Sequence, residues 1–204
     1  MLALMNPESL LTSGGLIVLA AIVFAESGLL VGFFLPGDSL LFIAGFLASP
    51  AGKNVLPNIV VVMLVSAAMA ILGDQVGYLI GKKLGPSVFA RPKSRLFNPE
   101  HVTRANGFFT KYGTRTIVIA RFVPVVRTFA PVIAGVGEME YKTFVRYNIV
   151  GGISWGAGIP LLGFFLGKID LVKDNIEAAI LAIVLVSLLP VIIEFIKHRR
   201  SIAK

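Results

Sequence analysis

The sequence predicts an all-α integral membrane protein: two opposed re-entrant helical hairpins in an inverted repeat, plus about three full transmembrane helices. Apolar runs near or above the length that crosses a bilayer recur along a chain that is 56% hydrophobic and only 15% charged. Two of those runs are broken by proline and carry ionisable groups. The short alternating segments of a membrane barrel are absent. At 204 residues the length fits a single membrane domain.

Taken in order, Asn6-Pro7-Glu8-Ser9 reads as a helix start. Gly14 to Leu35 is apolar apart from Glu26 and Ser27, and Pro36-Gly37 then breaks the run, with Asp38 placed to cap a second arm, Ser39 to Ala48. That arm is roughly 15 Å long as helix and cannot cross a hydrocarbon core of about 30 Å. Residues 9–48 are therefore read as the first re-entrant unit. Residues 59–81 form a full span containing Gly73-Asp74 and ending in Gly77, Gly81 and Gly85, which share one face and invite close helix approach. Residues 82–115 are basic and are read as cytoplasmic, with a short interfacial helix from Pro99 to Lys111. Residues 116–137 are the second re-entrant unit, broken at Pro124 and Pro131. Residues 144–167 and 178–196 are the last two spans, and a basic tail follows.

Segments 82–115, 142–146 and 197–204 hold fourteen of the nineteen basic residues, so they are placed in the cytoplasm, C-terminus included. The three spans then alternate without conflict. The units also repeat: Phe42-Ile43-Ala44-Gly45 matches Val132-Ile133-Ala134-Gly135, and Gly77-Tyr78-Leu79-Ile80-Gly81 aligns with Ile159-Pro160-Leu161-Leu162-Gly163. One hairpin opens outward and the other inward. Inverted repeats on broken helices, with a site near the midplane, mark transporters.

Arg121 and Arg127 lie inside an apolar run, from Ile117 to Val136, where an arginine costs a few kcal/mol (~2.5–3.5 on insertion scales). Irregular backbone at such depth is tolerated only where protein shields it or where it lines a wet cavity. Opposed hairpin tips would bring the pair to Glu26 and Asp38, a formally neutral set. Guanidinium forks match phosphate oxygens bidentately, so Arg121 and Arg127 are assigned to an anionic headgroup. Glu26 and Asp38 are assigned to charge balance or proton coupling. The alternative is a structural ion-pair set with no ligand, although apolar packing would serve such a strut as well. Asp74 is a secondary candidate or a hydrogen-bonding group at a helix kink, and Trp155 reads as an interface or packing residue. Lys111-Tyr112-Gly113 suits a headgroup dock or an ordinary helix end at glycine.

Several classes fall away. There are no cysteines, so disulfide and thiolate chemistry is excluded. His101 and His198 have no neighbours at metal-ligand spacing, so neither metal nor other cofactor is expected. The net charge of +8 sits beside apolar spans, which suits topology and anionic lipid better than nucleic acid. The N-terminal run lacks a preceding basic region and is expected to be retained rather than cleaved.

The sequence resembles the DedA family, the bacterial relatives of the VTT-domain (SNARE-associated) scramblases. The resemblance rests on Glu26 with Phe34-Leu35-Pro36-Gly37-Asp38, Gly73-Asp74 with Gly77-Tyr78 and Gly81, Lys111-Tyr112-Gly113, Arg121-Phe122-Val123-Pro124-Val125-Val126-Arg127, and Gly152 with Trp155. It implies a multi-pass protein of the bacterial cytoplasmic (inner) membrane that moves lipids between leaflets. Undecaprenyl phosphate, the carrier lipid of cell-envelope synthesis, is the leading cargo; phosphatidylethanolamine is another, and dependence on the proton motive force is implied. The family's essential acids and arginines map onto Glu26, Asp38, Arg121 and Arg127.

The expected function is thus lipid transport of the flippase or scramblase type, for a lipid with an anionic phosphate headgroup. A proton- or cation-coupled exporter of small solutes is the runner-up. An intramembrane lipid phosphatase is disfavoured, because no histidine lies in an apolar segment to serve a serine or a metal. A non-catalytic membrane scaffold would survive neutralisation of all four charges. The glycine faces permit a homodimer.

Overall fold

The computed structural model describes residues 7–29, 37–53, 55–89, 113, 117–118, 121 and 124–169. These residues form helices and no strand: α1 (Pro7–Gly28), α2 (Gly37–Leu47), α3 (Ile59–Phe89), α4 (Pro124–Val136) and α5 (Tyr141–Leu166). Helices α3 and α5 are long and apolar enough to cross a membrane. At 11 and 13 residues, α2 and α4 reach only roughly 16 and 20 Å. The interfacial helix expected at 99–111, Lys111 with it, and the span at 178–196 lie outside the described residues, as does Pro36.

Several boundaries differ from the sequence reading, each for a physical reason. Helix α1 bends at Gly15, whose φ of 53° lies in the left-handed region that glycine enters cheaply. It ends at Gly28, well short of Pro36, where Gly28 and Gly73 of α3 pack backbone to backbone with no room for a Cβ on either. Helix α2 begins at Gly37, so Asp38 stands in its first turn rather than capping it. Helix α3 starts behind Asn58, whose side chain accepts from the Val60 amide at 2.9 Å. It then runs through Lys82 and Lys83 to Phe89, into the segment read as cytoplasmic loop. Both lysines are good helix formers and both are exposed, so nothing stops the helix there.

Pro131 is not a break. Helix α4 passes through it, with the ring close to the Cβ position of Gly77. Pro124, by contrast, opens α4 at the first turn, where its missing N–H is no loss. The helix closes with Met139 N donating to Ala134 O at 3.0 Å and Glu138 N to Gly135 O at 3.1 Å. Glu138 takes the left-handed conformation (φ 51°) at that C-terminal cap. Four residues later in the chain α5 is under way, its start three residues ahead of Phe144, where the sequence reading began it.

The packing crosses over. Helix α2 lies chiefly on α5, and α4 lies chiefly on α3, while α1 packs along α3. Glycines set both crossings, and their contacts are reciprocal. A Cβ on Gly45 would strike the Pro160 carbonyl, and one on Gly135 would strike the Tyr78 carbonyl. A Cβ on Gly163 would strike the Phe42 carbonyl, and one on Gly81 the Val132 carbonyl. Under the repeat alignment read from sequence, Gly45 corresponds to Gly135, Tyr78 to Pro160, Phe42 to Val132 and Gly81 to Gly163. The contacts map onto one another, so each short arm docks antiparallel on the long helix of the other unit.

The protein's polarity is inside out. Leu64 is 66% exposed and Ile17 82%, and Val60, Ile153, Leu162 and Phe165 also face outward. Such apolar surface is what lipid-facing helices present. Buried within are Glu26, Asp74, Arg121, Arg127 and Asn148.

A candidate buried charge site between the repeats

Every described helix brings a polar group to one place. Glu26 comes from the last turn of α1, Asp38 from the first turn of α2 and Asp74 from the middle of α3. Arg127 sits one turn into α4, and α5 supplies Asn148 and Trp155. Arg121 lies in the turn before α4.

Arg127 is the hub. Its Nη2 donates to Glu26 Oε1, and its Nη1 donates to Asp38 Oδ1 at 2.6 Å. The guanidinium carbon lies 4.4 Å from the centre of the Trp155 ring, a cation–π distance. Trp155 Nε1 donates to the same Asp38 oxygen at 2.7 Å. Gly37 is a glycine for a local reason: a Cβ there would occupy the space of the Glu26 carboxylate.

Arg121 makes a second, neighbouring set. Its Nη1 donates to Asp74 Oδ2 and, at 2.8 Å, to Asn148 Oδ1. Asn148 in turn donates from Nδ2 to the Ile71 carbonyl at 3.1 Å, tying α5 to α3. Arg121 lies 5.9 Å from the Trp155 ring centre, and Gly151 leaves room for its side chain. Trp155 therefore stands against both arginines.

Two donors stay open. Arg121 Nη2 and Arg127 Nε are buried, and no described residue accepts a hydrogen bond from either. Asp74, Arg121, Arg127, Ile117, Ala130 and Pro131 surround a cavity of about 10 Å³, room for about one water. Unmet charge-bearing groups at such depth are costly, and the arrangement suits an anion that brings its own oxygens.

Comparison with known proteins bears on this geometry. The VTT-domain family model matches residues 35–165, which include every group of the site except Glu26. Protein DedA of Escherichia coli (strain K12) is 44% identical over 187 residues, covering 92% of this chain and 84% of that protein. The chain belongs to the DedA family of membrane proteins. An uncharacterized membrane protein of Mycobacterium tuberculosis (strain CDC 1551 / Oshkosh) is 50% identical over 183 residues, or 88% of this chain and 78% of the relative. Another, from Mycobacterium leprae (strain TN), is 45% identical over 188 residues, covering 92% and 82%. No solved structure matches the chain.

The sequence reading grouped Glu26, Asp38, Arg121 and Arg127 without pairing them; this DedA-family structure brings all four to one region and assigns the pairs. Both hairpin acids go to Arg127, whereas Arg121 is held by Asp74 and Asn148. Asp74 is thus an ion-pair partner and not merely a group at a kink. Of the two readings of Trp155, interface or packing, burial bears out packing, and the residue it packs against is the charge site itself. Asn148 was missed, although a lone amide inside an apolar span was a signal available in Tyr147-Asn148-Ile149.

Proposed function

We propose that this DedA-family protein moves a phosphate-bearing lipid between the leaflets of the bacterial cytoplasmic (inner) membrane, as a flippase or scramblase. Undecaprenyl phosphate is the leading cargo and phosphatidylethanolamine the alternative. The observation behind this is that two buried arginines each carry a donor for which no described residue supplies an acceptor, beside a shared cavity. Phosphate oxygens would meet those donors while the hydrocarbon tail stays in lipid. A cavity sized for about one water does not hold a phosphate, so the site opens before cargo enters. In this reading Glu26 and Asp38 stand in for the headgroup while Arg127 is unloaded. The short arms α2 and α4 are re-entrant, each returning to the face it entered from, and no step requires an enzyme's bond chemistry.

Proton coupling has its own support. Three carboxylates, Glu26, Asp38 and Asp74, face two guanidiniums, Arg121 and Arg127, so the set carries one formal negative charge in excess. A proton or a cation on the surplus carboxylate would balance it. The same excess fits an exporter of small solutes driven by protons or cations.

The test is transport in proteoliposomes of defined composition, with labelled undecaprenyl phosphate and phosphatidylethanolamine in parallel. Arg127→Ala should reduce transport of the cargo lipid at least a hundredfold while the protein still inserts. Wild-type rates in that variant would end the headgroup reading, and solute flux without lipid flux would favour the exporter.

A further inference from the structure

Trp155 is the only tryptophan in the chain. It is fully buried, and its two chemically distinct parts touch two different members of the charge set. The ring face carries Arg127 at 4.4 Å, with Arg121 at 5.9 Å. The indole N–H donates to Asp38 Oδ1 at 2.7 Å, the oxygen that also accepts from Arg127 Nη1 at 2.6 Å.

Any anion that takes the place of Asp38 at Arg127 must part that carboxylate from the guanidinium. One Asp38 oxygen serves both bonds, so movement away from Arg127 also strips the indole of its acceptor. A buried indole N–H left unpaired is costly, and it donates only. Its next acceptor lies wherever the displacing anion puts an oxygen, because the ring holds Arg127 within reach. We infer that Trp155 is a headgroup ligand as well as a platform: its N–H passes from Asp38 to the phosphate when Arg127 is loaded. The ring face keeps the guanidinium plane fixed through the exchange. This rests on the site being a headgroup site, and it adds Trp155 to the residues that touch the cargo.

A single tryptophan makes the exchange visible. Protein labelled with 15N-tryptophan gives one indole N–H signal, which can be followed in nanodiscs as undecaprenyl phosphate is added, with phosphatidylcholine alone as control. The signal should shift with undecaprenyl phosphate, an anionic phosphomonoester, and stay put in phosphatidylcholine, whose phosphodiester is neutralised and shielded by choline. In Arg127→Ala it should not respond to either lipid. Trp155→Phe keeps a ring for Arg127 and removes the N–H; its transport KM should rise about tenfold, with kcat changed less than threefold. A wild-type protein that transports the lipid while its indole signal stays fixed would overturn the hand-over and leave the headgroup site standing. A protein that neither binds nor moves the lipid would take down both. An unchanged KM in a folded Trp155→Phe protein would reduce Trp155 to packing.

Discussion

Arg121 and Arg127 are six positions apart, carry the same charge and are buried to similar depth, yet they have different partners. Arg127 shares its charge between Glu26 and Asp38, which belong to the first unit. Arg121 is fixed by Asp74 and Asn148, which belong to the two long helices. Removing one member of a buried pair leaves the other charge uncompensated, a loss of about 3–5 kcal/mol. Asp74→Ala should therefore lower the unfolding temperature sharply, whereas Asp74→Asn, which still accepts from Arg121, should lose less than half as much. Thermal unfolding in detergent measures both, and equal losses would show that the carboxylate charge, rather than the volume and the acceptor that asparagine keeps, is what Asp74 contributes. The sequence shows that four ionisable groups lie in apolar surroundings, because their cost is local and visible. It does not show which acid meets which arginine. Asp74 and Arg121 are 47 residues apart, and Glu26 and Arg127 are 101 apart, so only the packing of α1 and α4 on α3 decides.

At the scale of helices, proline and glycine were partly misleading for a physical reason. Each residue type has more than one use. Pro131 and Pro160 sit inside helices, and their rings or carbonyls face glycines on the partner helix. Gly37, read as a turn residue, also clears space for a carboxylate. Element type was legible because apolar runs of this length have few alternatives in lipid; helix ends were not, because packing sets them. The glycine crossings are testable as a matched set. Gly81→Val and Gly163→Val occupy equivalent positions and should each destabilise by about 1–3 kcal/mol through overpacking. Gly158→Val, which points into open space, should stay within about 0.5 kcal/mol of the parent. A large difference between Gly81→Val and Gly163→Val in the same unfolding assay would mean the two crossings are not mechanically alike.

Across the described residues, large apolar side chains face outward from the long helices while Glu26, Asp74, Arg121 and Arg127 are buried between them, the distribution that suits a membrane protein holding charge at depth. The chain has no cysteine, so single replacements report topology without background. Lys53 lies in the turns between α2 and α3, Glu138 lies between α4 and α5, and both are exposed. Lys53→Cys should react with a membrane-impermeant maleimide from outside intact cells, and Glu138→Cys only after the membrane is opened. Labelling of both from one side would rule out opposed hairpins. That expected orientation comes from the charge tally in the loops, a bias that needs no tertiary information.

The exchange of short arms between units has a consequence for descent. A lone copy of either unit would present a bare glycine-lined helix and an arm with nowhere to lie. A one-unit ancestor would therefore have been stable only as a pair of identical chains, each lending its short helix to its sister. Fusion of two such genes would then have made permanent a partnership that already existed.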